Sequence, residues 1–133
     1  MTLKRFGVSL EDNLLDDLDL LVTDQRFPNR SQAIRFLIKK NKVEGQWEEN
    51  EEVAGAIVLV YDHHKRNLQS QATEVQHHFH HLILSSQHVH LNHDYCLETI
   101  TVKGKAKELM ALSDELISIK GISHGKLVMS SVN

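Results

Sequence analysis

The 133-residue sequence has one cysteine, one proline and few aromatic residues, 5% in all, and its net charge at neutral pH is only -3. With Cys96 alone, no internal disulfide framework can form. The small negative charge excludes a protein that coats nucleic acid by bulk attraction, since non-specific binding rests on many basic contacts to phosphate; any DNA contact must be local. Long apolar runs are missing as well: the longest, around Val53 to Tyr61, is far short of the ~20 residues a membrane-spanning helix requires. The opening MTLKRFGVSLED turns acidic by residue 11 without a continuous apolar stretch. It does not read as a signal peptide, and a reducing cytoplasm is the expected compartment. No HExxH or comparable motif is present, so nothing points to a metal-dependent enzyme.

What is there divides in two. In LKRFGVSL, strand periodicity places Leu3, Arg5, Gly7 and Ser9 on one face and Lys4, Phe6, Val8 and Leu10 on the other. The face carrying Phe6, Val8 and Leu10 must be buried, and a lone strand needs another strand, from another chain, to satisfy its backbone. From Glu11 the spacing becomes helical, with Leu14, Leu15, Leu18, Leu21 and Val22 on one side and acids early, where the macrodipole favours them. This helix is expected to end near Gln25. Pro28 then breaks the chain, and Asn29 with Gln32 has the spacing of a helix cap. A second helix turns Ala33, Ile34, Leu37 and Ile38 inward and runs to about Gly45. A unit of fewer than about 60 residues buries little core, which makes association with other copies the default expectation.

The stretch GQWEENEE reads as a solvated hinge, giving a βαα domain over 1–46, a hinge over 47–52 and a second domain over 53–133. The second domain patterns as strand (VAGAIVLVYD), helix (KRNLQSQATEVQHHF), two strands (LILSSQHVHLN and YCLETITVKG), helix (KAKELMALSDELISIKG) and strand (HGKLVMSSV). The order βαββαβ predicts a ferredoxin-like α+β fold.

Ten histidines are present, and nine of them lie between His63 and His93. On a strand, His88 and His90 emerge on one face ~7 Å apart. If the following hairpin is symmetric about His93, His90 lies opposite Cys96, with Cβ atoms about 5 Å apart. Two imidazoles and a thiolate are borderline-to-soft ligands, suited to nickel, copper, zinc or cobalt and unsuited to magnesium or calcium. A fourth ligand is expected from His77, His78, His80 and His81 at the end of the preceding helix, from the same chain or a neighbouring one. His63, His64, His93 and His124 are read as exposed or supporting residues.

These residues resemble the NikR family of nickel-responsive transcriptional regulators. The likeness runs through RFGVSL, NRSQAIRFLI, VAGAIVLVYDH, QHHFHHLILSSQHVHLNHDYCLE and KGISHGKLV, and so over essentially the whole chain. It implies an N-terminal ribbon-helix-helix domain that dimerises by pairing strands, and a C-terminal ACT-type domain that forms a tetramer core, a dimer of dimers. It implies one Ni(II) per subunit, held square-planar by His88, His90 and Cys96 of one subunit and His77 of the facing one. Tyr61, Gln76 and Glu98 are then expected to hydrogen-bond the ligands or their neighbours. The partner implied is double-stranded DNA with a palindromic operator, met by Arg5, Gly7 and Ser9 of the ribbon and by Asn29, Arg30 and Ser31 at the second helix start. The function implied is repression of nickel-uptake genes. A regulator sensing copper, cobalt or zinc, or a small-molecule ligand of the ACT-type domain, is the alternative. Several members carry acids on the second helix that help form an extra cation site; Gln32 and Phe36 stand at those positions, so that site is not expected.

Overall fold

A computed structural model describes residues 2–133. The chain divides into two compact units, one ending at Asn41 and one spanning Lys42–Asn133.

In the first unit, α1 spans Asp12–Asp24 and α2 begins at Arg30. Asn29 caps α2 as expected, its Oδ1 accepting the Gln32 backbone N–H at 3.0 Å. The reciprocal arm of a capping box is not made, because the Gln32 side-chain oxygen instead accepts from Arg35 at 3.2 Å. The strand expected over residues 3–10 does not form within one chain. The reason is the one given above: an isolated extended segment has no ladder partner for its backbone. Phe6, Val8 and Leu10 line an open apolar cavity of about 470 Å³ with Leu14, Leu18 and Leu21 of α1 and Ile34 and Leu37 of α2. No residue of α1 is buried. This unit therefore displays an apolar face that its own residues leave open.

The second unit is α+β. It contains β1 (Glu52–Asp62), α3 (Arg66–His78), a single 3₁₀ turn at His80–Leu82, β2 (Ile83–His90), β3 (Tyr95–Lys105), α4 (Ala106–Ile117) and β4 (Ile122–Ser130). The strands form one sheet in the order β2-β3-β1-β4, antiparallel throughout. This is the βαββαβ arrangement expected from the alternation of periods. Val53, Ile57, Leu59 and Tyr61 of β1 and Cys96, Ile100 and Val102 of β3 are buried together with Leu68 and Ala72 of α3 and Leu109, Leu112 and Leu116 of α4. Each buried leucine stabilises the fold by roughly 1.5–3 kcal/mol relative to exposure. Gly121 adopts φ +106 where the chain turns into β4, and a Cβ there would lie 2.7 Å from Leu68 Cδ1. Both the backbone angle and the close approach demand glycine.

The hinge expected over 47–52 differs. Helix α2 continues through Glu48, and Trp47 is 4% exposed with its indole N–H donated to the Ser130 carbonyl at 2.9 Å. An indole that buries its ring and finds an acceptor gains too much to remain in a solvated linker. The loop is reduced to residues 49–51.

Trp47→Ala is expected to lower the stability of the second unit by about 3–5 kcal/mol, and Trp47→Phe by about 1 kcal/mol through the lost hydrogen bond. Urea denaturation followed by circular dichroism measures both.

Candidate metal centre

Antiparallel pairing builds the site. In the β2–β3 ladder His88 lies opposite Glu98 and His90 opposite Cys96, and in the β1–β3 ladder Tyr61 lies opposite Cys96. Directly opposed residues share a face. The rings of His88, His90 and Tyr61, the thiol of Cys96 and the carboxylate of Glu98 therefore all lie on the side of the sheet that carries the core. Because β2 is an edge strand, His88 and His90 remain exposed while Cys96 is fully buried. Their ring centroids are 5.5 Å apart, and the Tyr61 ring meets His88 edge-on at 6.0 Å.

Below these rings a hydrogen-bonded set fixes the floor. The Glu98 carboxylate accepts the Tyr61 hydroxyl at 2.9 Å and the Gln76 side-chain amide at 2.7 Å, so α3, β1 and β3 are tied to one buried acid. Burial, and then the hydrogen bond to Glu98, push the Tyr61 hydroxyl far above its ordinary ionisation range. Burial is also the main cause that raises Cys96; the nearby charges of Glu98 and Asp62 add to it, and the hydrogen bond with Tyr61 opposes it. The Cys96 thiol donates to the Tyr61 carbonyl at 3.6 Å. Tyr61, Gln76 and Glu98, singled out from the sequence, are thus joined in one set.

His77 is placed apart. It is exposed in the last turn of α3, lines an outward groove with Arg66, Ser70, Thr73 and Glu74, and stacks with His80 at 6.0 Å. Within one chain it does not join the hairpin residues. The donor chemistry at the hairpin, two imidazoles beside a thiol, fits a late divalent transition ion such as Ni(II). Among the described residues, though, the one set of three side-chain donors lying within 4.8 Å of one another is His64, His93 and Asp94. His64 and His93 were expected only as exposed or supporting residues, since they are brought together only by the β1–β3 pairing, and Asp94 was not singled out.

For the residues expected at DNA, the first unit is selective. Arg5 and Ser31 line a common groove with Lys4, Arg35 and Lys39, and Gly7 and Ser9 are exposed. The Arg30 side chain is engaged elsewhere, donating to both oxygens of Asp19 at 2.8 and 2.9 Å. That bond holds Asp19 below the usual carboxylate range. Asn29 is occupied by its cap. Phe36 packs against Phe27 with ring centroids 5.3 Å apart.

Comparison with known proteins bears on both units. Residues 54–130 match the family model described as the NikR C-terminal nickel binding domain. A protein of Desulfotalea psychrophila bearing the name nickel-responsive regulator is 50% identical over 129 residues, which is 97% of this chain and 95% of that one. A protein of the same name from Syntrophus aciditrophicus is 48% identical, covering 96% of this chain and 93% of its own length. Among solved structures, an uncharacterized protein from Thermotoga maritima superposes with a TM-score of 0.54 at 21% identity, covering 59% of this chain and 98% of that one, a likeness of fold.

Three outcomes follow from the buried set. Cys96 and Tyr61 ionise less readily folded than unfolded, so the metal-free chain keeps their contribution to stability below the ordinary thiol value of 9.0. It loses that contribution as pH rises through the raised folded values. Thermal melts across alkaline pH check this, and Cys96→Ser should flatten part of the fall. Ion binding at the thiol must release its proton, so Ni(II) affinity in chelator competition should climb with pH. Glu98→Gln, which alters the bonds to Tyr61 and Gln76, should weaken that affinity by about 10–100-fold with the fold retained.

Proposed function

The chain belongs to the NikR family of nickel-responsive regulators, a family of transcription regulators and not of enzymes, and from that premise we propose that it is a nickel-dependent DNA-binding repressor of nickel-uptake genes. The observation that carries the reading is the hairpin register: His90 opposite Cys96 and His88 opposite Glu98 put two imidazoles and a thiol side by side over a fully hydrogen-bonded carboxylate. His88, His90 and Cys96 hold one Ni(II) per subunit, and His77 of a second copy completes the site. The outward placement of His77 on α3 supports that assignment. Bound Ni(II) supplies a centre that joins two subunits.

The chain's own residues do the rest. Glu98 holds Tyr61 and Gln76, and so fixes the ends of β1 and α3 around the donors before any ion arrives. His77 and His80, stacked at the end of α3, present that end of the helix to the other subunit. In the first unit, Phe6, Val8 and Leu10 bury against a second copy as their strands pair. The opposite face, carrying Arg5, Gly7 and Ser9, then enters the major groove of a palindromic operator, with Asn29, Arg30 and Ser31 offering backbone N–H groups to phosphate. The open apolar cavity behind Phe6, Val8 and Leu10 supports the pairing, and the groove lined by Lys4, Arg5, Ser31, Arg35 and Lys39 supports the DNA face. The assembly is a homotetramer, a dimer of ribbon dimers. Its free thiol suits the reducing cytoplasm, and among the described residues no helix is long and apolar enough to cross a membrane.

Nickel acts here by differential stabilisation of the DNA-competent arrangement, which is all that a coupled equilibrium requires. Operator binding by the purified protein is therefore expected to tighten roughly 5–150-fold with Ni(II). It should lose that response in Cys96→Ser, and Arg5→Ala should weaken binding with or without the metal. Unchanged affinity on adding Ni(II) in a gel-shift titration would refute the reading.

A further inference from the structure

A glycine stands at the middle of the face that the proposed ribbon turns to DNA. Strand alternation puts Leu3, Arg5, Gly7 and Ser9 on that face. Gly7 has no special backbone: among the described residues Gly121 is the one glycine with positive φ. Nor is it crowded. A Cβ at Gly104, Gly121 or Gly125 would lie 2.6, 2.7 or 2.6 Å from a neighbouring side chain, whereas a Cβ at Gly7 would meet nothing within 4 Å. Glycine also weakens a strand, since it offers no side chain to pack and loses the most backbone freedom. Neither backbone angle nor packing within the chain asks for it. What it does is remove a side chain from the recognition face.

Pairing of two copies fixes where that gap falls. Directly opposed residues of an antiparallel ribbon share a face, which leaves three registers that overlap through the middle of the segment. If Phe6 opposes its own copy, Lys4 is set against Val8 on the buried face. If Val8 opposes its own copy, Glu11 is set against Arg5 on the outer face and takes up the guanidinium. If Gly7 opposes its own copy, Phe6 meets Val8 and Arg5 meets Ser9, while Lys4 lies beside Leu10 at the ribbon end, where its ammonium reaches water. The last register has neither fault. It places the two glycines together at the ribbon centre, with an Arg5 and Ser9 pair on each side.

We propose that Gly7 leaves the centre of each half-site unread, so that Arg5 and Ser9 carry all direct base recognition as two blocks flanking about two indifferent base pairs. The spacing follows from the strand: residues two apart on one face are ~7 Å apart, and base pairs are ~3.4 Å apart. In the major groove each base pair shows its own donor and acceptor pattern, but only a side chain that reaches it can read it. The inference deepens the repressor reading and rests on it.

Selection from random duplexes by the full-length Ni(II)-loaded protein, followed by anisotropy titrations on the selected duplex, tests it. Each half-site should show two blocks about four base pairs apart around a centre without preference. Inverting a base pair within a block should weaken binding roughly 5–150-fold, and inverting a central pair should leave affinity unchanged. Gly7→Ser places a hydroxyl at the centre and should create a preference there, seen as a new rank order among centre-inverted duplexes. Arg5→Ala should erase the blocks and create no central preference. Sharp base choice at the centre by the intact protein, or a Gly7→Ser protein as indifferent there as the intact one, overturns the inference and leaves the repressor reading standing. Enrichment of no sequence in the presence of Ni(II) overturns the repressor reading, and this inference with it.

Discussion

A carboxylate can be kept inside a protein only if its oxygens are answered, and that requirement organises the functional end of this molecule. Glu98 is 8% exposed; one oxygen takes the Tyr61 hydroxyl and the other the Gln76 amide. Each bond reaches a different element, so β1, β3 and α3 meet at a fixed distance around one acid. Everything placed above it inherits that fixity: the Tyr61 ring supports His88 edge-on, and the Tyr61 carbonyl receives the Cys96 thiol. Removing the acid would free not one contact but the relation among three segments.

The fold of the second unit was legible because its signals are local. Alternation along VAGAIVLVYD and YCLETITVKG and the helical spacing between them determine which side chains face inward, and the paired register of His90 with Cys96 follows from symmetry about a single turn residue. Tyr61, Gln76 and Glu98 could be named from the family likeness, but their joining depends on contacts across 37 and 22 positions that no periodicity encodes. The His64, His93 and Asp94 cluster was hidden for the same reason. Trp47 misled in the opposite direction. Four nearby glutamates made its stretch look solvated, while the indole itself found a slot beside Ser130, and one large aromatic outweighed its charged neighbours.

The first unit shows the limit of reading a chain by itself. Its two helices and the Asn29 cap follow from local chemistry, and the Arg30–Asp19 pair holds one helix to the other. The strand at residues 3–10 is different in kind. Its periodicity is clear, yet a ladder needs two sides, and the apolar residues that would lie beneath it line an open cavity instead. Phe6 is 74% exposed and Val8 57%. A surface of that character on so small a unit is what the proposed pairing with a second copy would bury.

Cys96 is the least accessible of the proposed metal donors, at 0% exposure, and its environment favours the protonated form. Oxidants such as peroxide attack the thiolate, so a sulfur kept neutral in this way is a poor target. A cation arriving at the edge strand brings the positive charge that makes losing the proton favourable. On the proposed reading, the same burial that delays ionisation would separate two kinds of signal, keeping the sulfur open to a metal ion and a poor target for oxidants.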